Sequence, residues 1–212
     1  MQKNECGTSR IVGARFSLYP MSGRFVEIIT GALAETASTK VWSRTDDVST
    51  CIRGRSAHVF DVAKAVFLHA AKTGEHVVWN GTFSIGCPGD SEGDVYMSED
   101  DVRLNEQAVR ELAVPVSAQF ALYPLGVPSY MAMIADAVEL ARERGTFGGG
   151  IHYASRLLGD AHEVFATLEE AFAQAQTKEA SHVVMTVNLS ANSPSAKPEA
   201  PTAAQERGGD AQ

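Results

Sequence analysis

One segment of this chain occurs twice. Arg15-Phe16-Ser17-Leu18-Tyr19-Pro20 returns as Gln119-Phe120-Ala121-Leu122-Tyr123-Pro124. Gly54-Arg55-Ser56-Ala57-His58-Val59-Phe60 corresponds to Gly159-Asp160-Ala161-His162-Glu163-Val164-Phe165, and His76-Val77-Val78 to His182-Val183-Val184. The offsets are 104, 105 and 106, so the matches need only two single-residue insertions. A period this long exceeds any solenoid repeat, which leaves two copies of one small domain. A chain of 212 residues can bury roughly 70% of its unfolded surface, enough for one large core or two small ones.

Both copies carry the same order of elements. In the first, the apolar stretch 11–19 stopped by Pro20 reads as a strand. Ser22 is placed to cap a helix with apolar positions Phe25, Ile28, Ile29, Ala32 and Leu33, at three-four spacing. Residues 40–44 and 48–53 read as a hairpin turning at Thr45-Asp46-Asp47, because Asp tolerates turn geometry and bonds nearby backbone. Ser56 is placed to cap a second helix with Val59, Val62, Val66, Phe67 and Ala70 on one side, and a last strand runs over 76–85. The second copy repeats this: strand 116–123, helix 129–144, a Gly-rich hairpin 147–157, a helix opened by Asp160 with Glu163, and strand 182–190. Strand-helix-strand-strand-helix-strand is the ferredoxin-like arrangement. The expected fold class is α+β: two tandem ferredoxin-like domains with antiparallel sheets and helices on one face. The other face of each sheet is left bare, for the two copies to cover mutually or for a dimer to cover.

The expected boundaries are a first repeat over 8–90, an acidic connector over 91–114, a second repeat over 115–192 and a disordered tail over 193–212. Between 86 and 115 eight carboxylates face two arginines, so most of the chain's net charge of −8 sits there. Ser98 with Asp101 is placed to open a short helix carrying Val102, Val109 and Leu112. The tail is Ser-, Pro-, Ala- and Gly-rich and has too little apolar area to offset ordering. A net negative charge argues against binding a phosphate backbone, so no nucleic-acid partner is expected. No apolar run approaches the roughly 18 residues that cross a bilayer, and the first ten residues lack a secretory apolar segment. Three unclustered cysteines, Cys6, Cys51 and Cys87, argue for a reducing compartment, so a cytoplasmic protein is expected.

The sequence offers little chemistry. Its six histidines lack metal-ligand spacing, so no metal and no catalytic residue is expected. His76 and His182 hold the same place in each copy and read as strand-edge residues. Cys87-Pro88-Gly89-Asp90 presents a thiol after a strand, but no base is evident nearby and a structural turn accounts for it. Gly148-Gly149-Gly150 lacks the Lys and Ser/Thr of a phosphate cradle and reads as a flexible or tightly packed hairpin. What remains is the bare sheet face. If Phe16 and Leu18 face the core, Ser17 and Tyr19 face away. Thr50, and Ser155 in its place in the second copy, put small hydroxyls beside aromatic rings. Such a surface suits a flat heterocycle, whose ring stacks while hydroxyls bond its nitrogens, though cross-strand hydroxyl pairs also arise from sheet packing alone.

Longer strings say more. Cys6 to Arg10, Arg15 to Met21, Asn80 to Asp90, Gln119 to Pro124, His152 to Ser155 and Thr186 to Pro194 closely resemble the YkoF family, over about residues 6 to 194. The resemblance implies a tandem ferredoxin-like protein that binds thiamine or its hydroxymethylpyrimidine portion without catalysis. It also implies a homodimer, one ligand site per repeat, and a role in precursor salvage beside an energy-coupling-factor type ABC transporter. No cofactor is expected beyond the ligand itself. The expected ligand-binding residues are Ser17, Leu18, Tyr19 and Thr50 in the first copy and Leu122, Tyr123 and Ser155 in the second. Unequal sites are expected, since Arg15, Ser17 and Thr50 become Gln119, Ala121 and Ser155. Arg15 should pair with an acid or point away from a cationic ligand. The alternatives are an enzyme of thiamine-precursor metabolism using Cys87, and a regulatory partner of a transporter with no small ligand.

Overall fold

Along β1 (Val12–Pro20), Val12, Ala14 and Phe16 are buried while Arg15 is exposed, the two-residue period that sorts side chains onto opposite faces of a sheet. The same period runs through β4 (Val77–Ile85), which buries Val77, Trp79 and Phe83, and β8 (His182–Ala191), which buries Val183, Met185, Val187, Leu189 and Ala191. In β5 (Pro115–Leu125) the buried set is Val116, Ala118, Phe120 and Leu122. The computed structural model describes residues 11–86, 100–176, 180 and 182–195. Cys87, Ser98, the strings 6–10 and 87–90, and the tail from 196 onward lie outside the described residues.

The first half continues with α1 (Phe25–Glu35), β2 (Trp42–Thr45), β3 (Thr50–Gly54) and α2 (Ser56–Ala71). A one-turn helix, α3 (Glu106–Val109), precedes the second half, which adds α4 (Tyr130–Glu143), β6 (Phe147–Ile151), β7 (Ala154–Asp160) and α5 (Ala161–Gln176). The described strands form one eight-stranded antiparallel sheet in the order β2-β3-β1-β4-β8-β5-β7-β6. The fold is α+β, with the repeat visible in both strand order and helix placement.

Of the two expected ways to cover the bare face, the first is not used. The halves do not stack face to face; they join edge to edge through β4 and β8. That pairing runs from Val77↔Ala191 to Ile85↔Val183 and is centred on Gly81↔Val187, which are equivalent residues of the two repeats. A pseudo-two-fold axis therefore passes between them. The physical reason is that each edge strand carries unpaired N–H and C=O groups, and mutual pairing satisfies both rows at once. The remaining edges, β2 and β6, are only four and five residues long.

The helices share the opposite face, α2 meeting α5 at the centre with α1 and α4 outside. Aromatic rings join the halves into one core: Phe60 of α2 stacks on Phe83 at 4.2 Å and meets Phe172 of α5 at 5.9 Å. α2 departs from the one-sided pattern, because His58, Asp61, Lys64 and His69 are buried along with its apolar residues. The segment 100–114 lies across the start of α2 and accounts for His58 and Asp61, whereas His69 sits beside Glu35 of α1 and Lys72. Asp61 Oδ2 accepts from the Leu104 and Asn105 backbone N–H groups at 3.1 Å and from Asn105 Nδ2 at 2.8 Å. Asn105 Oδ1 in turn accepts from the Ala37 N–H at 2.7 Å, and Arg103 forks onto Glu169 of α5 at 2.8 and 2.9 Å. The segment thus ties the two halves together, Asp100, Asp101 and Asn105 reaching the first half and Arg103 the second.

The helix starts differ in detail from expectation. Asp160 caps α5, accepting the His162 N–H at 2.9 Å, but Glu163 turns to Arg144 instead of closing a capping box. Ser56 is the first residue of α2, and its hydroxyl, buried without a partner, does not cap. Ser22 accepts the Arg24 N–H at 3.2 Å and donates to Glu75 at 3.1 Å, just ahead of α1.

Gly81 is glycine for a steric reason. A Cβ there would lie 2.4 Å from the Trp79 ring and 2.8 Å from Phe16 Cβ, where the indole lies along the strand in contact with Phe16 and Phe83. Gly81→Ala is expected to destabilise the fold by about 1–3 kcal/mol through overpacking. Gly150→Ala, whose added methyl meets no atom within 4 Å, should stay within about 0.5 kcal/mol. Urea unfolding midpoints of the two variants would check the contrast.

Candidate functional site

A cavity opens in the second half, between α4 and the sheet. α4 begins where the Ser129 carbonyl accepts the Ala132 and Met133 N–H groups, and it ends at Gly145, whose φ of +69° suits a residue without Cβ. Met133, Ala137, Leu140 and Ala141 pack inward. The adjacent stripe Tyr130, Ile134 and Val138, spaced by four, does not reach the sheet and walls a cavity of about 620 Å³ instead. Phe120 and Leu122 of β5 form its floor, the β5–α4 loop around Gly126 closes one end, and Tyr153, Ala154 and Ser155 form the other. Gly126 makes that loop at φ +80°.

The lining is apolar and aromatic, with three tyrosines, Tyr123, Tyr130 and Tyr153, and the single side-chain hydroxyl of Ser155 besides theirs. It contains no Asp, Glu, Lys, Arg, His or Cys. Ser155 makes no side-chain hydrogen bond among the described residues, so its hydroxyl is available. Tyr153 sits in the two-residue turn between Ile151 and Ala154 with φ +68°, 97% exposed. That left-handed conformation costs a non-glycine residue on the order of 1 kcal/mol.

The family model described as the YKOF-related family matches residues 11–90 and 115–196. The chain belongs to this family. Among curated proteins it is 57% identical over 192 residues to the Bacillus subtilis (strain 168) protein named "Putative HMP/thiamine-binding protein YkoF", covering 91% of this chain and 96% of that one. The two matched segments of the YkoF-related model coincide with the duplicated halves of the sheet, and the resemblance read from the sequence strings is confirmed.

The structure sorts the seven expected site residues of this YkoF-related chain onto two faces. Leu122 and Ser155 lie on the helix side and line the cavity, as Ser155 pairs across the strands with core residue Phe120. Leu18 and Thr50 occupy the same positions in the first half, Thr50 pairing with Phe16. Ser17 and Tyr19 belong to the open-face set, opposite the helices. Alternation assigns Tyr123 to that face too, yet the end of β5 brings it to the cavity lining. Thr50 and Ser155 therefore stand on the helix side of the sheet with Leu18 and Leu122, the set expected to face the core, and not beside Ser17 on the open face. The residues that sequence reasoning missed are Tyr130, Ile134 and Val138. The signal was present in the first half, where Phe25, Ile29 and Leu33 are the equivalents and were read as core. Phe25 is 52% and Leu33 37% exposed, whereas Ile28 and Ala32 are buried. The apolar face of each outer helix is broader than the sheet it covers.

The open face of the first half is closely hydrogen-bonded. Ser17 donates to the Val48 carbonyl at 2.8 Å, and Arg15 reaches Asp46 at 3.0 Å and Ser49 Oγ at 2.7 Å. Arg15 thus pairs with an acid, as expected. Asp46 also accepts the Val48 and Ser49 N–H groups at 2.9 and 2.8 Å, so it serves the turn and is not a free counter-ion. Across the central strands, His76 bonds Ser190 at 3.0 Å and His182 bonds Ser84 at 2.9 Å, two equivalent pairs related by the pseudo-two-fold. Among the described residues, no group of three His, Cys, Asp or Glu side chains could hold a metal.

The backbone donors of Ser49 and Val48, followed by Arg15, hold the Asp46 carboxyl down from its ordinary 3.8 to about 2. A carboxyl depressed on folding stabilises the hairpin above its unfolded value and loses that contribution as pH falls from 3.8 through about 2. The Val48 and Ser49 amide resonances should titrate near the lower value. Arg15→Gln should leave most of the depression in place, because the backbone donors contribute first; NMR titration of both proteins would check this.

Proposed function

We propose that this protein binds thiamine or its hydroxymethylpyrimidine moiety, one molecule per repeat, without chemical conversion. The observation that carries the reading is the aromatic cavity of about 620 Å³ with one available hydroxyl at its edge, within the usual 300–1,000 Å³ of small-molecule sites. An aminopyrimidine is flat enough to lie against Leu122 between the α4 stripe and the sheet. Ser155 and strand backbone are placed to bond its ring nitrogens and exocyclic amine. The name of the Bacillus subtilis relative supports the same ligand class. Each half, with its strand order fourth-first-third-second, reads as a ferredoxin-like unit. The first site is then built from Leu18 and Thr50 with Phe25, Ile29 and Leu33. Ser17 and Tyr19 belong to this proposal only as supports of the strand behind it.

A binding role is favoured because the lining offers no base beside Ser155, and a serine without one is not an activated nucleophile. The remaining parts of the reading come from the family resemblance: a role in uptake or salvage of the precursor, a cytoplasmic location, and a transporter of the energy-coupling-factor type as partner. No helix among the described residues is long and apolar enough to cross a membrane. The uncovered sheet face calls for an occupant, and a second copy of the chain is proposed to supply it. Sedimentation at micromolar concentration should give twice the chain mass.

The direct test is calorimetric titration with thiamine and with hydroxymethylpyrimidine, alongside thermal denaturation. Either compound at 100 times its Kd should stabilise the fold by about 2.7 kcal/mol. Ile134→Trp, which fills the second cavity from a half-buried position, should remove one of two binding events and leave the other. Ligand recovered unaltered after prolonged incubation distinguishes binding from turnover. Failure of both compounds to bind or stabilise would end the proposal.

A further inference from the structure

The open face of the sheet carries one arginine at the same cross-strand position in each half, but on different strands. In the first half Arg15 of β1 lies opposite Cys51 of β3. In the second half Gln119 of β5 lies opposite Arg156 of β7. The charge has moved across the ladder while keeping its place in the duplicated sheet. What answers it differs. Arg15 is held by Asp46 at 3.0 Å and by Ser49 Oγ at 2.7 Å. Counting from the equivalent pairs Thr45↔Thr50 and Gly150↔Ser155, Ile151 stands in the place of Asp46 and Ala154 in the place of Ser49.

Arg156 therefore lacks the acid that its counterpart has. It makes no ion pair or side-chain hydrogen bond among the described residues, and it is half-buried. With Ser117, Gln119, Asn188, Ser190 and Ser193 it lines a hollow of about 440 Å³ on the open face. These five bring hydroxyl and amide groups, and no Asp or Glu lines the hollow. Ser190 is held by His76 at 3.0 Å, and Asn188 by Asn80 across the seam, so two of the five are fixed in place. The side chains of Ser117 and Gln119 make no hydrogen bond among the described residues. A planar fork of N–H donors ringed by neutral donors, with no carboxylate, fits a tetrahedral oxyanion: the guanidinium takes two oxygens and the hydroxyls and amides take the others. In a chain of net charge −8, such a hollow is a local arrangement and not a by-product of excess cations.

We propose that this hollow is a binding site for a phosphate-type oxyanion anchored by Arg156, and that the anion gives the second half the negative charge that Asp46 gives the first. The site lies on the opposite face of the sheet from the helix-side cavity and goes beyond the binding function proposed above. In an assembly of two copies joined by this face, the hollow is enclosed and the anion sits between the copies. Its role is then greater, because a guanidinium taken out of water without a counter-charge is costly.

The test is thermal denaturation of the full chain and of its Arg156→Gln and Arg15→Gln variants in chloride buffer at constant ionic strength. Inorganic phosphate is titrated in one arm and a glycerol phosphate in another. Arg156 answers to the uncharged Cys51 of the first half, so Arg156→Gln folds, and its Tm without phosphate checks this. Phosphate at ten times its Kd should raise the Tm of the unaltered chain by about 3–6 °C. Arg156→Gln should weaken phosphate by about tenfold or more, the loss expected of a charge-assisted pair. Arg15→Gln should keep the full response, because Arg15 is already occupied by Asp46. A response to both probes assigns the site to phosphoryl groups on larger molecules, and a response to phosphate alone assigns it to the free ion. No shift with either probe, or equal shifts in the unaltered chain and Arg156→Gln, would overturn the site. Equal losses in the two variants would also overturn it, since they would trace the effect to the field of the whole face. Sedimentation of the same samples reads self-association separately, so its failure is not mistaken for failure of the anion site.

Discussion

Backbone pairing between β4 and β8 is the constraint on which the rest of this molecule depends. Two duplicated half-sheets, each with a long unsatisfied edge, become one sheet about the Gly81↔Val187 axis. Once that seam exists, α2 and α5 fall side by side on one face, and Phe60 and Phe172 meet across the halves. Gly81 lets the seam form beside a buried indole, because any side chain there would displace Trp79 from its contacts with Phe16 and Phe83.

Duplication explains how the two halves share one scaffold. The core positions are kept in kind: Ile28 and Ala32 answer to Met133 and Ala137, and Phe16 to Phe120. Even the exit from the central strands is kept in conformation, with Gly86 and Asn192 both at positive φ. Variation reaches the core, where Trp79, Gly81 and Phe83 answer to Met185, Val187 and Leu189, and is freest where a side chain ends in solvent, as at Thr45 and Gly150 or Val48 and Tyr153. There a substitution changes no core packing and so is thermodynamically cheap. The buried Asp61–Asn105 cluster has no counterpart of this kind, since it arises from the segment between the repeats, and it makes α2 a helix covered on every side.

Much of the fold was legible in the residues. The element order of both halves, the Asp46 turn and the Asp160 cap follow from local chemistry and from the repeat itself. The buried polar residues of α2 were not legible, because nothing local to His58 or Asp61 announces that a segment some forty residues away will lie over them. The candidate site was half legible. Leu122 was read on the core side of its strand, where it lies, but the hydroxyls of Thr50 and Ser155 were grouped with Ser17 and Tyr19 on a face they do not share. Cross-strand register decides that grouping, and register is a relation between strands that no single strand displays. Phe25 and Leu33 were read as core because their spacing is that of a core helix, and only the shape of the sheet beneath leaves them half exposed.

The sequence by itself determined the β-α-β-β-α-β element order of both halves, the alternating core set of the central strands and the family they belong to, since all of these depend on short-range periodicity and residue identity. Tertiary structure alone decided that the units join by their edges, that the acidic segment seals the central helix, and that the crevice opens on the helix side. Those outcomes depend on which unsatisfied backbone edges and apolar faces find each other across the chain, and that complementarity is a property of assembled surfaces.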